Sequence, residues 1–226
     1  MQSIDGSQGT LLELPIQIAG NAGRRTPVSR PVHISGYARE NDDFYPTPEW
    51  VTECLLDHVT IRGPVWEPCC GNGAMARAVC ARGHEVVATD SADRGFGEAG
   101  VDFHACREFP RGCRSMLTNP PYGDGSARRT VPASSRFLRR FVRHAIDLTV
   151  RANGQLALLV RFQWIAGKQA AALISSGPLD TVLVITQRII WFDRGKDTNQ
   201  SQHHHCWLFF DNQRNPAKPP RIAFGQ

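Results

Sequence analysis

From Thr47 onward the apolar positions alternate between a helical rhythm and short continuous runs. Trp50, Val51, Cys54, Leu55 and Val59 fall on one face of a helix in "TPEWVTECLLDHV". Thr47 suits its N-cap and Pro48 its first helical position, where a missing N–H costs nothing. After a turn at Gly63-Pro64, "VWEP" predicts a short strand, followed by the glycine turn "CCGNG" and a helix that Gly83 closes. "EVVATD" predicts a buried strand, "VDFHA" a short one and "SMLT" a further one. "SSRFLRRFVRHAIDLTVRANG" predicts a long helix, capped by Ser134 or Ser135 and stopped at Asn153-Gly154, with Leu138, Phe141, Ala145 and Leu148 on its buried face. "QLALLV" shows no alternation, as expected of a strand covered on both faces. A helix around "GKQAAALISS", a strand at "TVLVITQR" and a last strand at "HCWLFFD" complete the series.

Strands that alternate with helices and are apolar on both faces predict an α/β fold with a doubly wound, mostly parallel sheet. Ligands of such sheets lie beyond the carboxyl ends of the strands. Residues 1–39, rich in Gly, Pro, Ser and Arg without periodicity, predict a flexible lead-in. Residues 40–212 then form one domain, and residues 213–226 a tail that is ordered at first and frays toward its end.

Composition narrows the class only modestly. With 41% hydrophobic and 21% charged residues, the 226-residue chain has the make-up of a globular protein, and no apolar run approaches a membrane span. Its first residues lack the basic start of a secretory signal, so a cytoplasmic location is expected. Seven cysteines form no C-x-x-C pair, which argues against a zinc ribbon or a redox dithiol. A net charge of +5 is compatible with a polyanionic partner. The basic residues are almost all arginine, 23 against three lysines.

Candidate chemistry lies at two predicted strand ends. In "EPCCGNG" an acid and then Gly71 and Gly73 lead into a helix, a turn whose backbone can approach a ligand closely. Asp90, ending the next strand, stands where an acid can hold ribose hydroxyls. Glu67 would repel a pyrophosphate but accept a bond from an amino group, which favours an adenosine-type ligand without phosphates. In "SMLTNPPYGDG", Pro120 and Pro121 make a stiff turn that donates no hydrogen bonds. The Asn119 side-chain oxygen and a neighbouring carbonyl can together hold an exocyclic NH₂, and Tyr122 can stack on a planar base.

In these stretches the chain resembles the S-adenosylmethionine-dependent adenine-N6 DNA methyltransferases, including small forms common in phages and mobile elements. The resemblance runs from about Asp43 to Asp211. It implies a methyltransferase Rossmann-like fold with an antiparallel last strand, and S-adenosyl-L-methionine as cofactor. "DFYPTP" resembles the family's opening segment, implying Phe44 and Thr47 near the methionine moiety. Glu67, Gly71 and Gly73 match the cofactor loop, Asp90 the ribose-binding acid, and Asp102-Phe103 the pair that meets the cofactor's adenine. Asn119, Pro120, Pro121 and Tyr122 match the catalytic Asn-Pro-Pro-Tyr turn. The same chemistry on RNA adenine or on a protein glutamine amide is the near alternative, and a non-catalytic cofactor-binding subunit the distant one.

Ten arginines against three acids between Arg107 and Arg151 make nucleic acid the expected partner, DNA favoured over RNA, with Arg128, Arg129, Arg136, Arg139 and Arg140 as phosphate contacts. A partner subunit is expected too, because Glu67 and Asn119 are too close in sequence for an inserted target-recognition domain and little chain follows the sheet. The run His203-His204-His205 does not share a strand or helix face, so no metal is expected. Trp164, Trp191 and Trp207 are expected in the core, with Trp164 also a candidate for the target pocket.

Overall fold

A computed structural model describes residues 45–122, 131–191 and 203–226. Its elements are α1 (Glu49–Leu56), β1 (Val65–Glu67), α2 (Ala74–Ala81), β2 (Val86–Ala88), β3 (Ser115–Thr118), α3 (Val131–Arg151), β4 (Gln155–Arg161), α4 (Phe162–Ile165), α5 (Lys168–Ile174), β5 (Leu179–Ile185), β6 (His205–Asp211) and β7 (Arg221–Gly225). The seven strands form one sheet in the order β2-β1-β3-β4-β6-β5-β7. All pairings are parallel except those of β6 with β4 and β5. The doubly wound, mostly parallel sheet of the sequence reading is therefore present.

Alternate residues of the central strands feed two separate cores, one on each face. Met116, Leu156, Leu158 and Leu208 meet Leu138, Phe141, Ala145 and Leu148 of α3. Leu117, Ala157, Leu159 and Trp207 meet Val51 and Leu55 of α1 and Met75 and Val79 of α2. The indole N–H of Trp207 donates to the Val51 carbonyl at 3.0 Å, which satisfies its one polar atom inside the core. The helix α3 ends as expected: Asn153 takes a left-handed φ of 46°, and Gly154 N–H returns to the Thr149 carbonyl.

Four expectations are corrected. The segment around "VDFHA" is a 3-10 turn, Phe103–Ala105, in which the Asp102 side chain accepts the His104 N–H instead of pairing with a strand. The helix α3 starts at Val131, upstream of Ser134 and Ser135. The chain end does not fray: Arg221–Gly225 adds β7 beside β5, so antiparallel β6 is next to last. Thr47 does not cap α1; Pro48 holds that position without a side-chain bond, and the Thr47 hydroxyl serves elsewhere.

At the amino edge of the sheet, Gln155 ties three elements together. Its Oε1 accepts from Arg62 N–H and Ser115 Oγ, and its Nε2 donates to the Thr60 carbonyl and Asp211 Oδ2. Arg62 completes the group with a 2.7 Å ion pair to Asp211. Burial opposes ionisation of Asp211, but hydrogen bonds from Arg62, Gln155 and Gln213 outweigh it and hold the carboxyl below its ordinary value of 3.8. A depressed carboxyl contributes stability above its unfolded pKa and loses it as pH falls through the folded one. Asp211→Asn is therefore expected to cost about 1–3 kcal/mol at neutral pH. Thermal unfolding should show that deficit closing as the pH drops below 3.8.

Candidate active site

The strand order reverses between β1 and β3: β2 lies to one side of β1, and β3 to the other. Beyond the carboxyl ends of these two neighbours lies the crevice where open α/β sheets bind ligands. The two turns singled out in the sequence, 67–73 after β1 and 119–122 after β3, both emerge there.

Gly71 and Gly73 have φ of 54° and 79°, values at which a Cβ would be strained. Gly73 is the N-cap of α2 and has no side chain with which to satisfy the helix amides. Glu67, at the end of β1, substitutes by accepting the Ala76 N–H. Its Oε2 is buried without a partner, and the residue is only 3% exposed. Asp90 braces the same turn from the end of β2, accepting Gly71 N–H through Oδ2 and Ala92 N–H through Oδ1, both at 2.9 Å. Each of its oxygens keeps a further lone pair for a ligand.

Burial drives the Glu67 pKa well above the ordinary 4.5; the Ala76 N–H bond opposes the rise, Asp90 adds to it and Arg77 opposes it. The adjoining thiols respond in the same direction. Cys70 is pushed up to about 11 by burial and then by Glu67 and Asp90, and Cys69 is raised by burial and then by Asp90. Both stay protonated at neutral pH, which makes them poor nucleophiles.

Phe96 joins this turn without a sequence signal. Its ring lies against Gly73 so closely that a Cβ there would collide with it, and Arg77 sits over the ring at 5.7 Å. Phe103 goes the other way. It is 5% exposed, stacks on Phe141 at 4.3 Å and packs on Trp66, so its ring belongs to the core instead of a ligand face.

Across the crevice, Asn119 Nδ2 donates to Thr47 Oγ1 at 3.2 Å and to the Tyr45 carbonyl at 3.5 Å. A backbone carbonyl can only accept, so the NH₂ end must face the 45–47 segment. The Asn119 oxygen is thereby turned away from that segment and is the acceptor end of the amide. Pro120 is buried and Pro121 half-buried, which keeps the turn stiff. Tyr122 is anchored to the end of β4: its hydroxyl accepts Arg161 N–H at 2.8 Å, and the Arg161 guanidinium lies 4.7 Å from the ring centroid.

Behind Tyr45 stands an aromatic ladder. Its ring meets Trp191 edge-on at 5.8 Å, and Trp191 meets His205 at 5.2 Å. His205 is buried, and burial, followed by the charge of Arg161, lowers its pKa to about 3. It is therefore a neutral packing partner. Trp164, half-buried in α4, packs against the α3-side core. Arg136 and Arg140 are exposed on α3, and Arg139 is half-buried there. Phe44, Arg128 and Arg129 lie outside the described residues.

No protein-family model and no curated protein matches the chain. Among solved structures it is similar to a putative class I S-adenosylmethionine-dependent methyltransferase from Listeria monocytogenes, at 13% identity and TM-score 0.48 over 77% of this chain and 62% of that one. A modification subunit of a putative type I restriction enzyme from Vibrio vulnificus is similar at 14% identity and TM-score 0.48, over 75% and 44% of the two chains. The M protein of the type I restriction enzyme EcoKI is similar at 16% and 0.48, over 77% and 45%. The chain thus spans less than two thirds of the length of each.

A carboxyl whose pKa is raised by folding lowers stability progressively once the pH exceeds its unfolded value. Glu67→Gln removes that titration. The variant should gain on the wild type in Tm between about pH 5 and pH 8, by about 2–4 °C for each kcal/mol relieved. Parallel melting curves across this range would contradict a buried, proton-holding Glu67.

Proposed function

We propose that this chain is an S-adenosylmethionine-dependent methyltransferase that moves a methyl group to the exocyclic N6 amine of a flipped-out adenine in DNA. One observation carries the reading: the Asn119 amide is held by Thr47 and Tyr45 so that its oxygen is the free acceptor end, directly across the crevice from the glycine turn.

The residues of that turn fit the cofactor. Glu67 offers a buried unpaired oxygen to an ammonium group, Gly71 and Gly73 let the backbone come close, and Asp90 retains acceptor capacity for hydroxyls. Phe96 extends this surface over Gly73. When bound, S-adenosylmethionine supplies a methyl group activated by its sulfonium.

The chain's own task is to make an aromatic amine a competent nucleophile. The lone pair of such an amine is delocalised into the ring. Hydrogen bonds from its two N–H groups to the Asn119 oxygen and the Pro120 carbonyl favour a pyramidal nitrogen, which frees the lone pair for attack. Tyr122, fixed by Arg161, holds the base by stacking, a contribution of about 1–3 kcal/mol. Orientation supplies most of the rate gain, and no covalent enzyme intermediate is required. The exposed arginines of α3 favour a nucleic-acid substrate over a protein glutamine amide. A partner subunit would contribute to target recognition.

Asn119→Ala should abolish methyl transfer, by at least about 10²-fold, while cofactor affinity measured by calorimetry stays within about twofold. Thr47→Val, which removes only the hydroxyl that orients the amide, should lower kcat about tenfold. Full activity in Asn119→Ala would refute the assignment.

A further inference from the structure

Among the described residues, the arginines between Arg107 and Arg151 do not all gather around the catalytic turn. One group of them lies at the opposite edge of the sheet. Arg107, Arg111 and Arg114 precede β3, and Arg151 ends α3, so all four lie at the amino edge. There they border a cleft of about 520 Å³ floored by Phe109, Cys113 and Leu148. The cleft has one acid, Glu108, and among the described residues no carboxylate pairs with any of the four arginines. Arg151 donates to the Arg107 carbonyl at 3.2 Å, which ties the two walls together. The Arg114 stem lies against Gly63, where an added Cβ would come within 2.9 Å of it.

The helix α3 joins this cleft to the catalytic edge. It follows β3 and precedes parallel β4, so it runs back from the carboxyl edge to the amino edge. Arg136, Arg140, Arg143, Asp147 and Arg151 are all exposed, at spacings of four, three, four and four residues, which makes one stripe along the helix. From Arg136 to Arg151 the stripe rises ~22 Å at about 1.5 Å per residue. At ~3.4 Å per nucleotide along one duplex strand, that spans roughly six phosphates.

We propose that the amino-edge cleft is a second binding site, for the phosphodiester backbone of the polynucleotide that carries the target base, and that the α3 stripe is the track leading to it. The proposal rests on the nucleic-acid reading given above. The strand is gripped roughly six nucleotides along from the catalytic-edge end of the stripe, at a place that takes no part in the chemistry. Guanidinium groups are suited to this because they hydrogen-bond phosphate oxygens in a fixed fork without reading sequence.

The test is the salt dependence of binding by the full chain. A mixed-sequence duplex DNA of about 30 base pairs and an RNA strand of the same sequence are titrated between about 50 and 200 mM salt, with wild type and with R107Q/R111Q/R114Q. Each phosphate contact adds about 0.9 to the slope of log K against log salt on duplex DNA, so the triple variant should flatten it by about 2–3. On RNA the loss should be slightly smaller, at about 0.7 for each contact. The control R82Q/R221Q removes arginines already paired with Asp57 and Asp180 and should leave the slope in place. The three substituted arginines are exposed, and matching thermal unfolding of variant and wild type confirms that the fold is kept. An unchanged slope in the triple variant, or an equal drop in the control, overturns the cleft and leaves the catalytic reading standing. A wild type that binds neither polymer overturns both.

Discussion

A backbone carbonyl cannot donate a hydrogen bond, and the candidate site is organised around that fact. Because Tyr45 presents its carbonyl to Asn119, the amide has one orientation, with nitrogen toward the 45–47 segment and oxygen turned away from it. The Thr47 hydroxyl reinforces it. Tyr45 is in turn steadied by Trp191 and, behind it, by a neutral buried His205. A side chain at the end of one strand thus acquires a fixed polarity from a segment that precedes the first helix of the domain.

The opposite wall of the crevice uses the same economy of groups. Glu67 caps a helix that begins at a glycine, and Asp90 holds the turn by its amides, yet each keeps an acceptor available. Burial, with Asp90 nearby, raises the pKa of Glu67 and so favours its protonated form until a cation arrives. The sheet brings both walls together where the strand order reverses between β1 and β3, and the two cores on either face keep these strands in register.

Much of this was legible in the sequence, for reasons specific to each element. The unalternating run "QLALLV" requires burial on both faces, and β4 is buried along nearly all its length. The glycine turn and the Asn-Pro-Pro-Tyr turn declare themselves through backbone chemistry that few other residues supply. What was not legible is long-range. Thr47 has the look of an N-cap, but its hydroxyl is engaged 72 residues away by Asn119, a contact no local pattern encodes. Phe96, Arg161 and Trp191 reach the site only through folding. Phe103 packs its ring against Phe141 and Trp66, contacts that no local pattern announces. The linear density of arginine does not tell that α3 carries charge from one edge of the sheet to the other.

The central claim is that Asn119 and its turn present an exocyclic base amine for methylation. Its most direct test is to incubate the chain with methyl-labelled S-adenosylmethionine and DNA, RNA or protein in parallel, digest each to its units, and identify the labelled one. The account predicts label in N6-methyladenine from DNA. Label confined to a protein glutamine, or to a ring carbon of any base, would contradict it.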